Sequence, residues 1–426
     1  MKSCLRFVKP RCALVLLGVL GFTPVAEAAG WDTPIVYTAR HQGMGGTAIA
    51  SVDDPSASYH NPAGYQGVKG IELLGNFTLL LGNLQTSPDF DGQDAGSNTI
   101  VAPFPMLSAG FRVHEWITIG LGAYPVASGA AEYDFSSDAG EVNDGLRTVF
   151  FEFSPAISLN IPERIVPGHL SIGVGYRMTY VTFDRYQTVG DAQILDIKTG
   201  GMNFGGVRVG LQYEPIPGLR LGAVFRNRVI VDTTGDTAIA QGFDAIDTSF
   251  DFTLPLQVGG GVRYDLDRYG FAVDYQFTDQ SQNDSATLAG TLLSTTGEGL
   301  PLEVENVYEW KNGNTVRVGG EYRIPVQKDE VPIRVGYVWD GRVGNPLYPT
   351  AFGTPPTATN SFTLGAGFVR QSWQINLATA YRFGSTSVPN RSEAPADLRS
   401  CLFCSYGGEY KIGLTGLYVD FSYAWE

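Results

Sequence analysis

The stretch "YGFAVDYQFTDQ" (residues 269–280) puts a large apolar side chain at every second position. Phe271, Val273, Tyr275 and Phe277 fall on one side, and Ala272, Asp274, Gln276 and Thr278 on the other. That period belongs to an extended strand, whose successive side chains point to opposite faces. The pattern recurs along the chain. Ile71, Leu73, Phe77, Leu79 and Leu81 oppose Glu72, Asn76 and Thr78. Ile333, Val335, Tyr337 and Trp339 oppose Arg334, Gly336 and Asp340. Trp373, Ile375, Leu377, Tyr381 and Phe383 oppose Gln374, Asn376, Ala378, Ala380 and Arg382. At the C-terminus Leu417, Val419, Phe421, Tyr423 and Trp425 alternate with Tyr418, Asp420, Ser422 and Ala424. The apolar face is often aromatic at its ends, as at a membrane–water interface. The second face carries Gly, Asn, Gln, Arg, Asp and Glu rather than packed aliphatics. Segments of about ten residues with this alternation are the mark of a transmembrane β-barrel, with one face to lipid and one to a polar lumen.

Fourteen strands are read on this criterion between residues 70 and 426, an even number as a single-chain bacterial barrel requires. The connections alternate in length. Residues 114–115, 215–218, 265–268 and 370–372 are short turns. Segments 83–104, 126–146, 184–201, 233–249, 281–313, 341–359 and 385–407 are read as long surface loops, rich in Asp, Gly, Ser, Thr and Pro. The expected fold is therefore all-β: a 14-stranded antiparallel transmembrane barrel over residues 69–426. Composition alone leaves a secreted sandwich open as well.

Residues 1–28 read as a signal peptide: a basic start, the apolar core "ALVLLGVLGF" (13–22), then small residues at 26–28. The apolar run is shorter than the ~20 residues a spanning helix needs. The chain has 29 Lys and Arg against 43 Asp and Glu, a net charge of −14, which argues against a nucleic-acid partner. Cys401 and Cys404 form a CxxC without a strand–helix setting or a second pair, so a local disulfide is expected rather than a redox or zinc site. No cofactor or metal is expected. The four histidines lie near no evident nucleophile motif, which speaks against a hydrolase.

Between the signal and the first strand, residues 29–68 contain "GMGGTAIASVDDPSASYHNPAGYQG" (43–67) and lack any lipid-facing pattern. A fourteen-strand barrel is wide enough to leave a lumen, so this segment is expected to fold inside it as a hatch. Here the chain resembles the outer-membrane long-chain fatty acid and hydrocarbon transporters of the FadL/TodX type. The resemblance begins at "GMGG" (43–46), "SVDDPSA" (51–57) and the hatch motif Asn61, Pro62, Ala63 and Gly64. It continues through "FSPAISLNI" (153–161), "LGAVFRNRVIVD" (221–232) and "SFTLGAGF" (361–368).

The resemblance implies passive uptake of hydrophobic molecules (fatty acids, alkanes or aromatics) into a plugged barrel, with a lateral exit through its wall. Tyr124 and Pro125, at the end of the third expected strand, resemble the family's kinked strand and lateral gate. The implied surroundings are outer-membrane lipid and lipopolysaccharide, with the barrel assembly machinery as a partner and a monomer as the unit. Alternation points Arg177, Arg208, Arg226, Arg228, Arg263, Arg317 and Arg382 inward, balanced by acids such as Glu152, Asp274, Glu321 and Asp340. Arg226, Arg228 and Arg177 are the candidates for a ligand carboxylate, which arginine can bind bidentately. Segment 184–201 is short and polar where the family carries a long apolar loop, which leaves alkanes, aromatics and other lipids open. The alternative reading is a hydrophilic pore, or a structural or receptor barrel.

Overall fold

A computed structural model of the protein describes residues 37–86, 95–235, 238–240, 242–294, 297–349, 352, 355–390 and 407–425. The signal peptide, Cys401 and Cys404 lie outside the described residues.

The strands in chain order are β1 (Ile71–Thr86), β2 (Ile100–His114), β3 (Ile117–Ser137), β4 (Gly140–Ile161), β5 (His169–Val189) and β6 (Ala192–Ile216). Four interrupted strands follow: β7 (Leu219–Arg226 and Val229–Gly235), β8 (Phe243–Leu254 and Gln257–Leu266), β9 (Tyr269–Thr278 and Ser285–Leu293) and β10 (Gly299–Val307 and Gly313–Val326). The last are β11 (Asp329–Asp340), β12 (Thr359–Arg370), β13 (Trp373–Ser387) and β14 (Glu409–Trp425). Each pairs antiparallel with its chain neighbour, and β1 pairs with β14 from Ile71–Trp425 to Gln85–Lys411, closing a 14-stranded barrel. Closure follows from the solvent. An unpaired sheet edge in hydrocarbon would leave every N–H and C=O without a partner, at several kcal/mol each.

The alternation read from sequence sorts side chains as expected. Leu107, Phe271, Phe362 and Leu364 face outward. Glu72, Asn76, Thr78, Asp274, Asn376, Arg382 and Asp420 are buried inside.

Several segments expected as loops are strand instead. β3 and β4 zip together across 126–146 around a turn at 138–139, and β5 and β6 do so across 184–201 around 190–191. Segments 233–249 and 281–313 are also largely strand. β6 alone has 25 residues, about 80 Å of extended chain. The reason is physical. Beyond the bilayer no apolar outer face is needed, so polar sequence still pairs through its backbone, and the lipid-facing criterion misses it.

Candidate functional site

Residues 37–68 form a compact unit: a single helical turn α1 (Ala39–Gln42) and two 3₁₀ turns at Pro55–Ser58 and Pro62–Gly67. The side chains of Asp54 and Asn61 cap these 3₁₀ turns by accepting from the N–H of Ser56 and Ala63, and Pro55 and Pro62 open them. Helix starts favour those residue types, because an oxygen satisfies an orphan donor and proline has none to lose.

The unit touches inward-facing groups from strands all around the barrel. The Asp274 carboxylate of β9 accepts from the N–H groups of Ala48 and Ile49 at 2.7 and 2.9 Å. Asp420 of β14 accepts from the Arg40 N–H at 3.0 Å. The Gly45 N–H donates to Thr363 Oγ1 of β12 at 3.0 Å, from a left-handed φ of +70°. Asn61 Nδ2 donates to the carbonyls of Ile49, Leu211 of β6 and Ala223 of β7 at 2.7, 3.1 and 3.3 Å. Pro62, Ala63 and Gly64, the rest of the expected motif, are buried beside Asn61. A Cβ at Gly210 would collide with Asn61 Oδ1.

Above this unit the inward faces turn apolar. One continuous cluster runs from Leu80, Phe150, Phe183, Phe250, Phe252 and Ile412 down to Tyr37, Phe104 and Tyr124. Its lower end is aromatic: Tyr37 and Tyr59 meet edge-on at 5.1 Å, and Tyr59 and Tyr124 at 5.6 Å.

At this floor the wall is incomplete. The β2–β3 ladder stops at the pair Leu107–Ala123, although both strands continue in the described residues. Pro125 sits where β3 slips register against β4, between Pro125 and Ala127. It does not end the strand, as the sequence reading expected; it makes a bulge, after which β3 runs on to Ser137. Pro103 and Pro105 lie in the part of β2 that has left β3 and pairs with β1 alone. Proline has no N–H to give a ladder and belongs at edges or bulges. The sequence reading missed these two, and "APFPM" (102–106) was the signal. The break is packed from inside by buried Phe104, Met106, Tyr124 and Val126. The Tyr37 hydroxyl donates to the Pro125 carbonyl at 2.6 Å and that of Tyr124 to Ser58 O at 2.7 Å, so both sides of the bulge are tied to residues 37–68. Just below the break lies a cavity of about 370 Å³, lined by Leu73, Gly75, Leu107, Ala109, Leu121, Ala123 and Phe153 among others.

The inward arginines are mostly engaged. Arg177 donates to Glu152 at 2.6 Å and to the Asn227 carbonyl at 3.0 Å. Arg208 pairs with the same Glu152 at 3.2 Å and also bonds the Ser58 carbonyl and Tyr124. Arg226 donates to Tyr59 O at 2.6 Å and Gln257 Oε1 at 3.2 Å, and lies 4.8 Å over the Tyr59 ring. Arg228, expected to point inward, is instead exposed: the interruption of β7 between Arg226 and Val229 resets the alternation, and Val229 takes the buried place. Arg263 pairs with Glu321, and Arg382 with Asp340, as the alternation expects. Asp274, expected to balance an arginine, accepts from backbone N–H groups instead.

Within the N-terminal unit, Asp53 is half-buried, and its partial desolvation would raise its pKa, but Arg40 and Arg220 overcome this and hold it well below the usual carboxylate range. Burial pushes the Tyr37 phenol well above its usual value, so it stays a donor to Pro125.

A family profile described as "Outer membrane protein transport protein (OMPP1/FadL/TodX)" matches residues 23–412. The chain belongs to this family. OMPP1/FadL/TodX proteins are outer-membrane transport channels rather than enzymes, and the barrel described here is an outer-membrane protein of the Gram-negative type. No curated protein sequence shows significant similarity to the chain. Solved structures of the FadL/TodX kind share the fold. A Pseudomonas aeruginosa FadL homologue is 15% identical, with a TM-score of 0.67 over 95% of this chain and 100% of that one. The Pseudomonas putida toluene transporter TodX is 15% identical, with a TM-score of 0.65 over 94% and 100%. The Ralstonia pickettii toluene transporter TbuX is 14% identical, with a TM-score of 0.65 over 92% and 100%. At such identities the likeness speaks for the fold alone.

Proposed function

We propose that this protein takes up hydrophobic molecules passively across the outer membrane, with residues 29–68 as a plug and the β2–β3 break as a side exit. One observation carries the reading: the inward apolar cluster is continuous from the upper barrel to the break, where the N-terminal unit closes the way beneath it. An apolar solute gains ~0.8 kcal/mol for each CH₂ kept from water along that path. A straight course downward would meet the buried polar contacts of residues 37–68. A sideways course leads through Phe104, Met106 and Val126 toward lipid. Passage then needs rotation of those side chains, and Tyr37 couples it to the plug through Pro125.

The favoured cargo is neutral. Arg177 and Arg226, two of the three candidates for a carboxylate, spend donors on protein acceptors, and a fatty acid would have to displace these. Hydrocarbons, aromatic rings included, make no such demand. The test is growth of a deletion strain on oleate and on aromatic hydrocarbons, together with mass spectrometry of small molecules that co-purify. Restored growth on a hydrocarbon by the intact gene supports the reading. Unchanged growth on every apolar carbon source, in a strain lacking related transporters, would overturn it.

A further inference from the structure

His41 and His60 play no part in the uptake path, yet both rings are buried in the N-terminal unit, 3% and 8% exposed. Their centroids are 4.8 Å apart and their planes cross at 65°. His41 Nδ1 lies 3.2 Å from the Thr47 carbonyl. A carbonyl only accepts, so Nδ1 carries the proton and Nε2 is bare in the neutral ring. The Nε2 atoms of both rings are buried without a protein hydrogen-bond partner among the described residues. Charges face the pair from every side. Arg40, Asp53 and Asp54 stand near His41, the two acids already bonded to Arg40 at 2.6 and 3.1 Å. Arg208 of β6, Arg226 of β7 and Arg317 of β10 face His60.

We propose that His41 and His60 form an acid-sensitive latch, in which proton uptake by the pair loosens residues 37–68 from the barrel interior. Its consequence for transport rests on the plug reading above. A proton on either Nε2 creates a buried N–H without an acceptor and a positive charge beside the other ring and three guanidinium groups. Such a charge is costly unless paired. Burial already lowers His41 to about 4 and His60 well below its ordinary value. The docked pKa is therefore the depressed one. Docking is fully stable above the released value of about 6.5 and weakens as pH falls through it toward the docked value. With about 6.5 released and about 4 docked, His41 alone weakens docking about 30-fold between pH 7.5 and pH 5.

The experiment is hydrogen exchange by mass spectrometry on the full chain in micelles, from pH 7.5 to pH 5. Protection factors are corrected for intrinsic rates, and β6 and β13 serve as the internal standard. Residues 44–65 should lose at least about 30-fold in protection while the strands hold. His41→Phe and His60→Phe keep edge-on ring packing and remove the titration, so each should flatten the response and the pair abolish it. Wild-type protection unchanged down to pH 5 overturns the latch without need of any variant. So does a double variant that folds and keeps the full pH response. Bilayer conductance of the same full-length protein separates the two readings. Loss of protection at pH 5 with no rise in conductance sustains the latch and counts against the plug. Unchanged protection sinks the latch whatever the conductance does.

Discussion

Asn61→Ala removes a fully buried side chain that joins three parts of the molecule. Its Oδ1 accepts from the Ala63 N–H at 3.1 Å, and its Nδ2 donates to Ile49 O at 2.7 Å. Weaker donations go to Leu211 O and Ala223 O, at 3.1 and 3.3 Å. Loss of the cap costs about 1 kcal/mol. The buried Ile49 carbonyl keeps a partner in Gln212 Nε2 at 3.2 Å, so its share is toward the low end of the ~1–3 kcal/mol for an orphaned group. Leu211 and Ala223 face each other in the β6–β7 pairing, so their carbonyls lose little. The sum is about 2–3 kcal/mol against docking of residues 37–68, a roughly 30- to 150-fold rise in their opening, at 1.4 kcal/mol per factor of ten. Native-state hydrogen exchange at neutral pH reads this directly, with the strands as control. Accelerated exchange confined to residues 44–65 is the expected result. Acceleration below threefold, or equal acceleration in the strands, would refute the view that Asn61 fastens the unit rather than the whole barrel.

Glu152→Gln leaves Arg177 and Arg208 facing each other without their shared acid. Breaking such a buried pair costs about 3–5 kcal/mol, so the heat-modifiable folded band on gels should convert at a lower temperature than in wild type. Gly210→Ala should mimic Asn61→Ala in exchange of residues 44–65, because its Cβ takes the place of Asn61 Oδ1. Pro103→Val with Pro105→Val restores two backbone donors beside the break; pairing of β2 with β3 should extend upward and uptake should slow, measured as cargo accumulation in cells with equal barrel levels. Ala123→Trp fills the outer cavity below the break, and it too should slow uptake while leaving the melting of the barrel unchanged.

The strands that cross lipid were legible because the bilayer imposes a period of two with one apolar face. β1, β9, β13 and β14 carry it openly. The ion pairs of Arg177 and Arg208 with Glu152, and of Arg382 with Asp340, could also be anticipated, since alternation puts acids and bases in one lumen. The long hairpins of β3–β4 and β5–β6 could not, because outside the membrane backbone pairing sustains a strand without an apolar lipid-facing side, the mark by which strands were recognised. Asp274 shows the same limit from within. Its inward direction was readable, but its partners, the N–H groups of Ala48 and Ile49, lie more than 220 residues away in sequence.

The sequence by itself determined which face of each strand meets lipid, that the sheet must close, and that a glycine- and Asn-Pro-containing segment precedes it. Those follow from local rules: side-chain alternation, and the cost of an unpaired peptide group in hydrocarbon. Only the tertiary structure decided where the wall stops pairing, and that Tyr37 fastens the bulge at Pro125. Only it, too, brought two histidines ring to ring. Each of those depends on distances between residues remote in the chain, which no local pattern encodes.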